Sequence, residues 1–166
     1  MTPQQRHKCM SRIRSKNTRP EWLVRRFLWQ NGFRYRLHVE KLAGKPDIVI
    51  NRLKIAIFVN GCFWHGHKCL KKLPASNRKF WYDKISHNRN RDINNCRVLE
   101  QQGWIVIVIW ECELAKPYQQ ETLLRLLNTL NLINNTKTNY NYPSPQAAIA
   151  AENEVQYSSY PDSNKP

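Results

Sequence analysis

The chain stays polar and basic over residues 1–17 before any apolar periodicity begins. Leu23, Val24, Phe27 and Leu28 then recur at helical spacing and predict an amphipathic helix ending near residue 30. Thr18 and Glu21 stand at capping-box spacing with Pro20 in the first turn, and Gly32 fits a C-terminal stop. "FRYRLHV" (33–39) alternates and predicts a strand, and "LAGKP" a turn. "DIVI" and "KIAIFV" are short apolar runs typical of buried strands. A loop rich in Cys and His follows at 61–69, and after "KLPAS" a long polar helix is predicted over about 77–101, with Phe80, Ile85 and Leu99 among its apolar positions. "WIVIVIW" (104–110) is almost continuously apolar and predicts a central strand covered on both faces. Pro117 opens a last amphipathic helix with Leu123, Leu124, Leu126, Leu127 and Leu130. From about residue 134 the chain turns to Asn, Pro, Ser and Tyr, and this tail is expected to be mostly disordered. The expected organisation is an arm at 1–17, one domain at 18–133 and a tail at 134–166. The element order gives an α/β fold, a mixed central β-sheet flanked by helices.

Charge narrows the class of partner. The 166 residues carry 27 Lys and Arg against 12 Asp and Glu, a formal +15. Beyond residue 136 lie Lys137 and Lys165 against Glu152, Glu154 and Asp162, so the first 136 residues hold 25 basic and 9 acidic side chains, +16. A domain this basic attracts polyanions, and its six Trp suit contacts with bases, so nucleic acid is the first partner to expect. No apolar stretch approaches the ~20 residues of a membrane span, and the opening "MTPQQRHKCM" is polar and basic, unlike a secretory signal. A cytoplasmic protein with reduced cysteines is expected. An odd five cysteines, several of them clustered, favour metal ligation over disulfides.

The loop "GCFWHGHKC" (61–69) is the main chemical feature. Thiolate and imidazole at close spacing suit tetrahedral Zn²⁺. Cys62, His67 and Cys69 offer three ligands, and Cys112 in "WECEL" offers a fourth from the end of the apolar strand. The alternative is a set of buried free thiols. Cys9 and Cys96 read as ordinary cysteines. A structural zinc with four ligands leaves His65 over for other work, although a lone histidine is more often structural.

Acidic residues supply the partners for that histidine. "GKPDIVI" places Asp47 after a turn, at the head of an apolar strand, where a carboxylate on so basic a chain stands out. Mg²⁺ sites for phosphate chemistry use one or two carboxylates plus substrate oxygens. The same skeleton, an aspartate leading into one strand and a second strand soon after, occurs in restriction-type nucleases. Their usual lysine on the second strand is missing here, so His65 is the candidate to activate water. A site assembled from these residues would use Asp47 as metal ligand, Glu21 as an outer helper, His65 as base and Asp92 to orient the imidazole. Each acid also has an ordinary reading: Asp47 as a turn cap, Glu21 as a capping-box residue, Asp92 as a solvated helix acid.

Five segments, "MSRIRSKNTRPEWLVRRFL", "YRLHVEKLAGKPDIVI", "IAIFVNGCFWHGHKC", "FWYDKISHNRNRD" and "GWIVIVIWECEL", together resemble the very short patch repair endonucleases of bacteria. The resemblance runs from about Met10 to Leu114. It implies a restriction-endonuclease-like core with a structural zinc on Cys62, His67, Cys69 and Cys112. It implies a DNA endonuclease that nicks one strand 5′ of the thymine in T:G mismatches left by deamination of 5-methylcytosine. Asp47 would bind Mg²⁺ with the Val59 backbone, His65 would be catalytic with Asp92 on its ring, and Glu21 matches the family's first-helix glutamate. Phe63, Trp64 and Trp81 would wedge into the base stack; core packing is their alternative. Two departures stand out: Val59 replaces a threonine, and Asn60 replaces a histidine thought to contact phosphate. Arg12, Arg14, Lys16, Arg89 and Arg91 are candidate phosphate contacts, or else a solvated face. The implied partner is double-stranded DNA bearing the mismatch, bound by a monomer, with mismatch-repair proteins and a DNA polymerase acting downstream. The readings that compete are a less selective nuclease of the same fold and a non-catalytic, zinc-stabilised DNA-binding protein.

Overall fold

A computed structural model describes residues 16–136 of the protein. Helix α1 spans Arg19–Gln30 and is nucleated as its sequence dictates. The Thr18 side chain accepts the Glu21 amide, while the Glu21 carboxylate accepts the amides of Asn17 (3.0 Å) and Thr18 (3.2 Å). At its other end Gly32 adopts φ +80°, its amide reaches Trp29 O, and the Phe33 amide reaches back to Leu28 O at 3.0 Å. This is a glycine-terminated Schellman stop, and Leu28 and Phe33 both enter the core beside it.

The sheet has four strands in the order β1 (Arg36–Leu37), β2 (Ile48–Ile50), β3 (Ile55–Asn60) and β4 (Ile105–Trp110). β1 and β3 run antiparallel to β2, and β4 runs parallel to β3 with Ile55 opposite Ile105 and Asn60 opposite Trp110. A 3₁₀ turn at Asn51–Leu53 joins β2 to β3. The parallel step from β3 to β4 needs a long crossover, supplied by helix α2 (Arg78–Gln101). Helix α3 (Lys116–Thr136) follows a 3₁₀ turn at Glu111–Leu114 and runs past the composition change near 134.

Side-chain alternation along the strands assigns the helices to faces. Ile55, Ile57, Ile107 and Ile109 point into the larger core, where Val24 and Leu28 of α1 meet Leu123, Leu126, Leu130 and Ile133 of α3. Ala56 and Val106 point the other way, onto Cys96 and Leu99 of α2. The sheet is therefore mixed and covered by helices on both faces, as the element order predicts.

Two strand expectations need correction. The alternating run 33–39 forms only a two-residue strand, both residues exposed, because His38 turns to φ +46° and ends the extended backbone. "WIVIVIW" is not central: β4 lies at the edge of the four-stranded sheet. Its apolarity reports that helices cover both faces, which they do, and carries no information about how many neighbours it is hydrogen-bonded to. Among the described residues no helix is long and apolar enough to cross a membrane.

Candidate functional site

Because β3 and β4 are parallel and in register, the loop after β3 and the turn after β4 leave the sheet at the same end. That is why Cys112 meets the 61–69 loop. The donor atoms of Cys62, His67, Cys69 and Cys112 all lie within 4.8 Å of one another. Cys112 Sγ is 3.3 Å from His67 Nδ1, and the buried His67 ring stacks on Trp110 with centroids 4.3 Å apart. The His67 amide closes the loop onto Cys62 O at 2.9 Å. This packing shifts the thiols in opposite directions. Burial pushes Cys62 and Cys112 up. Burial also opposes ionisation of Cys69, but hydrogen bonds from His67, Cys62 and Cys112 outweigh it and bring that thiol down. Three sulfurs and one nitrogen at this separation match a tetrahedral thiolate-bound cation, whose ligand sulfurs stand about 3.8 Å apart for bonds of about 2.3 Å. The residues fit such an ion.

Beside this knuckle opens a cleft of about 890 Å³. Glu21, Asp47, Val59, Asn60, His65 and Asp92 all line it, with Trp64 and Arg91 at the same cavity. Those positions are contributed by α1, the start of β2, the end of β3 with the loop that follows it, and α2, so the tertiary fold gathers them from four separate stretches. Asp92 Oδ2 makes a very short contact with His65 Nδ1, and Asp92 Oδ1 accepts from Arg91 at 3.3 Å. With Nδ1 engaged, His65 has only Nε2 for other partners. Asp47 Oδ2 accepts the Val59 amide at 2.8 Å. Burial raises the Asp47 carboxyl above its ordinary value, against the pull of that amide, and the charge of Glu21 adds to the rise. A carboxylate held in this way gains from a bound cation. Glu21 is buried and heavily committed: besides the two cap amides it takes Arg25 Nη2 at 2.5 Å. Asn60 is buried at the last position of β3.

One neighbour of this acid pair is absent from the sequence reading. His38 sits between the carboxylates, with Nε2 3.9 Å from Glu21 Oε2 and Nδ1 3.9 Å from Asp47 Oδ1. Arg25 Nη2 lies 3.1 Å from the same Nε2. The Glu21 and Arg25 pair at i, i+4 was visible in the sequence; the inward turn of His38, which depends on its positive φ, was not.

The aromatics form one cluster, of which Trp64 lines the cleft. Phe63 meets Trp64 and Trp81 edge-on at 5.2 and 5.1 Å, and Phe80 meets Trp81 at 5.2 Å. Phe63, Trp64 and Trp81 are half-buried, and Phe80, read from the sequence as an apolar helix position, is 58% exposed. The loop beneath is pinned to α2 where Asn88 Nδ2 donates to Trp64 O at 2.9 Å. The expected phosphate contacts divide. Lys16 and Arg91 are exposed. Arg89 is a correction: it is 3% exposed and its Cδ lies 3.3 Å from where a Cβ on Gly66 would stand, so it braces the loop from inside. Arg12 and Arg14 lie outside the described residues.

A mixed α/β sheet whose parallel strands end in a Cys₃His knuckle beside an acid-lined, histidine-bearing cleft defines a narrow class, and comparison with known proteins fills it. A family model described as DNA mismatch endonuclease Vsr matches residues 1–71. The type II nicking enzyme V.NmeAIP of Neisseria meningitidis serogroup A is 48% identical over 131 residues, covering 78% of this chain and 94% of that protein. V.XorIIP of Xanthomonas oryzae, also described as a type II nicking enzyme, is 45% identical over 126 residues, 75% of this chain and 93% of that protein. The DNA mismatch endonuclease Vsr of Escherichia coli K12 is 38% identical over 110 residues, 66% of this chain and 70% of that protein. The chain belongs to the Vsr endonuclease family.

Proposed function

We propose that this protein is a Mg²⁺-dependent DNA endonuclease of restriction-endonuclease-like fold that nicks one strand 5′ of the thymine at T:G mismatches, the first step of very short patch repair. The observation that carries the reading is the convergence of Asp47, His65 and Asp92 on one cleft beside the Cys₃His knuckle. Membership of the Vsr family supports action on DNA, and the relatives described as nicking enzymes support cleavage of a single strand.

The geometry supports a division of roles among these residues. Asp47 would hold the cation together with the Val59 backbone, Glu21 shaping the site from α1. A Mg²⁺ ion held by these residues would supply Lewis-acid stabilisation of the charge that develops in phosphodiester cleavage. His65 takes a proton from the attacking water at Nε2, because Asp92 holds Nδ1 and so fixes which nitrogen faces substrate. Breaking the bond to the 3′-oxygen leaves a 5′-phosphate and a 3′-hydroxyl. Cys62, His67, Cys69 and Cys112 would hold a structural Zn²⁺ that fixes the loop carrying His65. The same loop carries Phe63 and Trp64, and with Trp81 they form the wedge. Inserting aromatics between base steps costs least where a wobble pair already weakens the stack. Recognition and chemistry are thereby carried on one metal-clamped loop. Asn60, Lys16, Arg91, Arg12 and Arg14 would steady the phosphates of duplex DNA, and a DNA polymerase would act downstream from the nick.

The test uses supercoiled plasmid with a single T:G pair, incubated with Mg²⁺ and compared with a T:A control. Nicking confined to the mismatched plasmid is the expected result. Equal nicking of both would favour the less selective nuclease, and binding without nicking the non-catalytic DNA-binding protein.

A further inference from the structure

Resting on the reading of Asp47 as the cation-binding carboxylate, we propose that His38 is a positioning residue for Asp47, held in its working orientation by Arg25.

Three observations support this. First, His38 is a non-glycine residue at φ +46°, in a region of backbone space that costs about 1 kcal/mol or more for an L side chain. The turn aims the ring inward between two carboxylates instead of continuing β1 toward solvent. Second, Arg25 fixes which ring nitrogen is left to face Asp47. A guanidinium only donates, so the contact at 3.1 Å makes Nε2 an acceptor and leaves the ring proton on Nδ1. Third, that Nδ1 faces Asp47 Oδ1 at 3.9 Å, beyond a direct hydrogen bond and within ion-pair range. Asp47 Oδ2 is already fixed by the Val59 amide. The Val59 amide thus holds one oxygen of Asp47 while the His38 ring faces the other, so the carboxylate has a neighbour on each side.

Arg25 makes the arrangement a chain. It holds Glu21 at 2.5 Å and His38 at 3.1 Å through the same Nη2, and its own burial at 6% exposure keeps water from competing. Carboxylates that hold cations are themselves hydrogen-bonded, and removing such an outer partner lowers metal affinity about 10–100-fold. The cleft therefore carries two imidazole–aspartate pairs of different function: His65 with Asp92 for the proton, His38 with Asp47 for the cation.

Full-length protein with its knuckle metal in place is titrated with Mn²⁺ and followed by electron paramagnetic resonance, a readout independent of DNA cleavage. Three variants are compared. His38→Gly removes the ring and suits the positive φ. His38→Asn also tolerates that φ and places an amide N–H near the position of Nδ1. Asp47→Asn removes the cation-binding carboxylate. The expected result is a 10–100-fold loss of Mn²⁺ affinity in His38→Gly, recovery to within about threefold of wild type in His38→Asn, and near-complete loss in Asp47→Asn. If His38→Gly binds Mn²⁺ like wild type while Asp47→Asn does not bind, the positioning role is overturned and the Asp47 reading stands. If His38→Gly and His38→Asn lose affinity equally, the donor at Nδ1 is not what matters and the proposal fails. If Asp47→Asn binds as tightly as wild type, the reading of the cation site falls and this inference with it.

Discussion

His65 and Cys96 show how differently two side chains of one cleft are set by their surroundings. His65 keeps one nitrogen on Asp92 and one toward the cavity, so its removal should cost chemistry and little else. A His65→Ala variant is expected to lose about 10²–10⁴-fold in nicking rate, the usual reach of a positioned general base. Its thermal midpoint should stay within about 2 °C of wild type, since a partly exposed ring at the cleft holds no core. Cys96 has the opposite character. It is buried against Leu99, and burial, with the charges of Glu100 and Asp92, pushes its thiol up to about 12. A thiol raised on folding contributes stability at pH below its unfolded value near 9, and loses it as pH climbs from there toward 12. Alkylation at pH 8 followed by mass mapping should leave Cys96 unmodified until urea unfolds the chain. Labelling of Cys96 in the native state would mean that the α2 face opens to solvent.

Elements explain why the two halves of the site are so differently robust. Helix α1 stands on its capping box, and Thr18→Ala should destabilise the protein by about 1 kcal/mol in urea denaturation. The same change frees the Glu21 carboxylate from Thr18 Oγ1 at 2.9 Å, so a disturbance of the cleft accompanies the loss of the cap. The 61–69 loop has no such local support. It lies outside helix and strand and is tied by His67 to Cys62, by Asn88 to Trp64, and by the four-donor cluster. If the knuckle holds Zn²⁺ as proposed, treatment with a strong chelator is expected to lower the thermal midpoint sharply and to abolish the proposed nicking together with it. Activity that survives with the metal gone, measured by a colorimetric release assay, would contradict the structural role. Much at this scale is legible in sequence, because caps, helical periodicity and Cys/His spacing are local. The strand at 33–39 is not, because its alternation could not reveal the left-handed turn at His38 that cuts it to two residues.

At the scale of the molecule, charge and topology act together. The formal +15 predicts that association with duplex DNA weakens steeply with salt, log affinity falling by about 0.9 per phosphate neutralised. Binding measured from 50 to 200 mM salt should follow such a line for matched and mismatched DNA alike. A preference for T:G that persists along the line would mark recognition by stacking and shape, and a preference that vanishes with salt would leave charge alone. The knuckle and the cleft share one end of the sheet because β3 and β4 are parallel, a consequence of the α2 crossover that no segment of the chain states by itself.

The sequence alone determined the three helices and the capping box of the first, the basic character, and the chemical identity of the ligand-bearing residues. Each of these rests on residue type and spacing within a few turns of chain. Tertiary structure decided what depends on long-range pairing: that Cys112 meets Cys62, that β4 is an edge, that Arg89 turns inward under Gly66, and that His38 and Arg25 stand between Glu21 and Asp47. Periodicity reports which faces are covered and is silent on which neighbour covers them. Strand order and a few backbone torsions supply that, and the arrangement of the cleft follows from them.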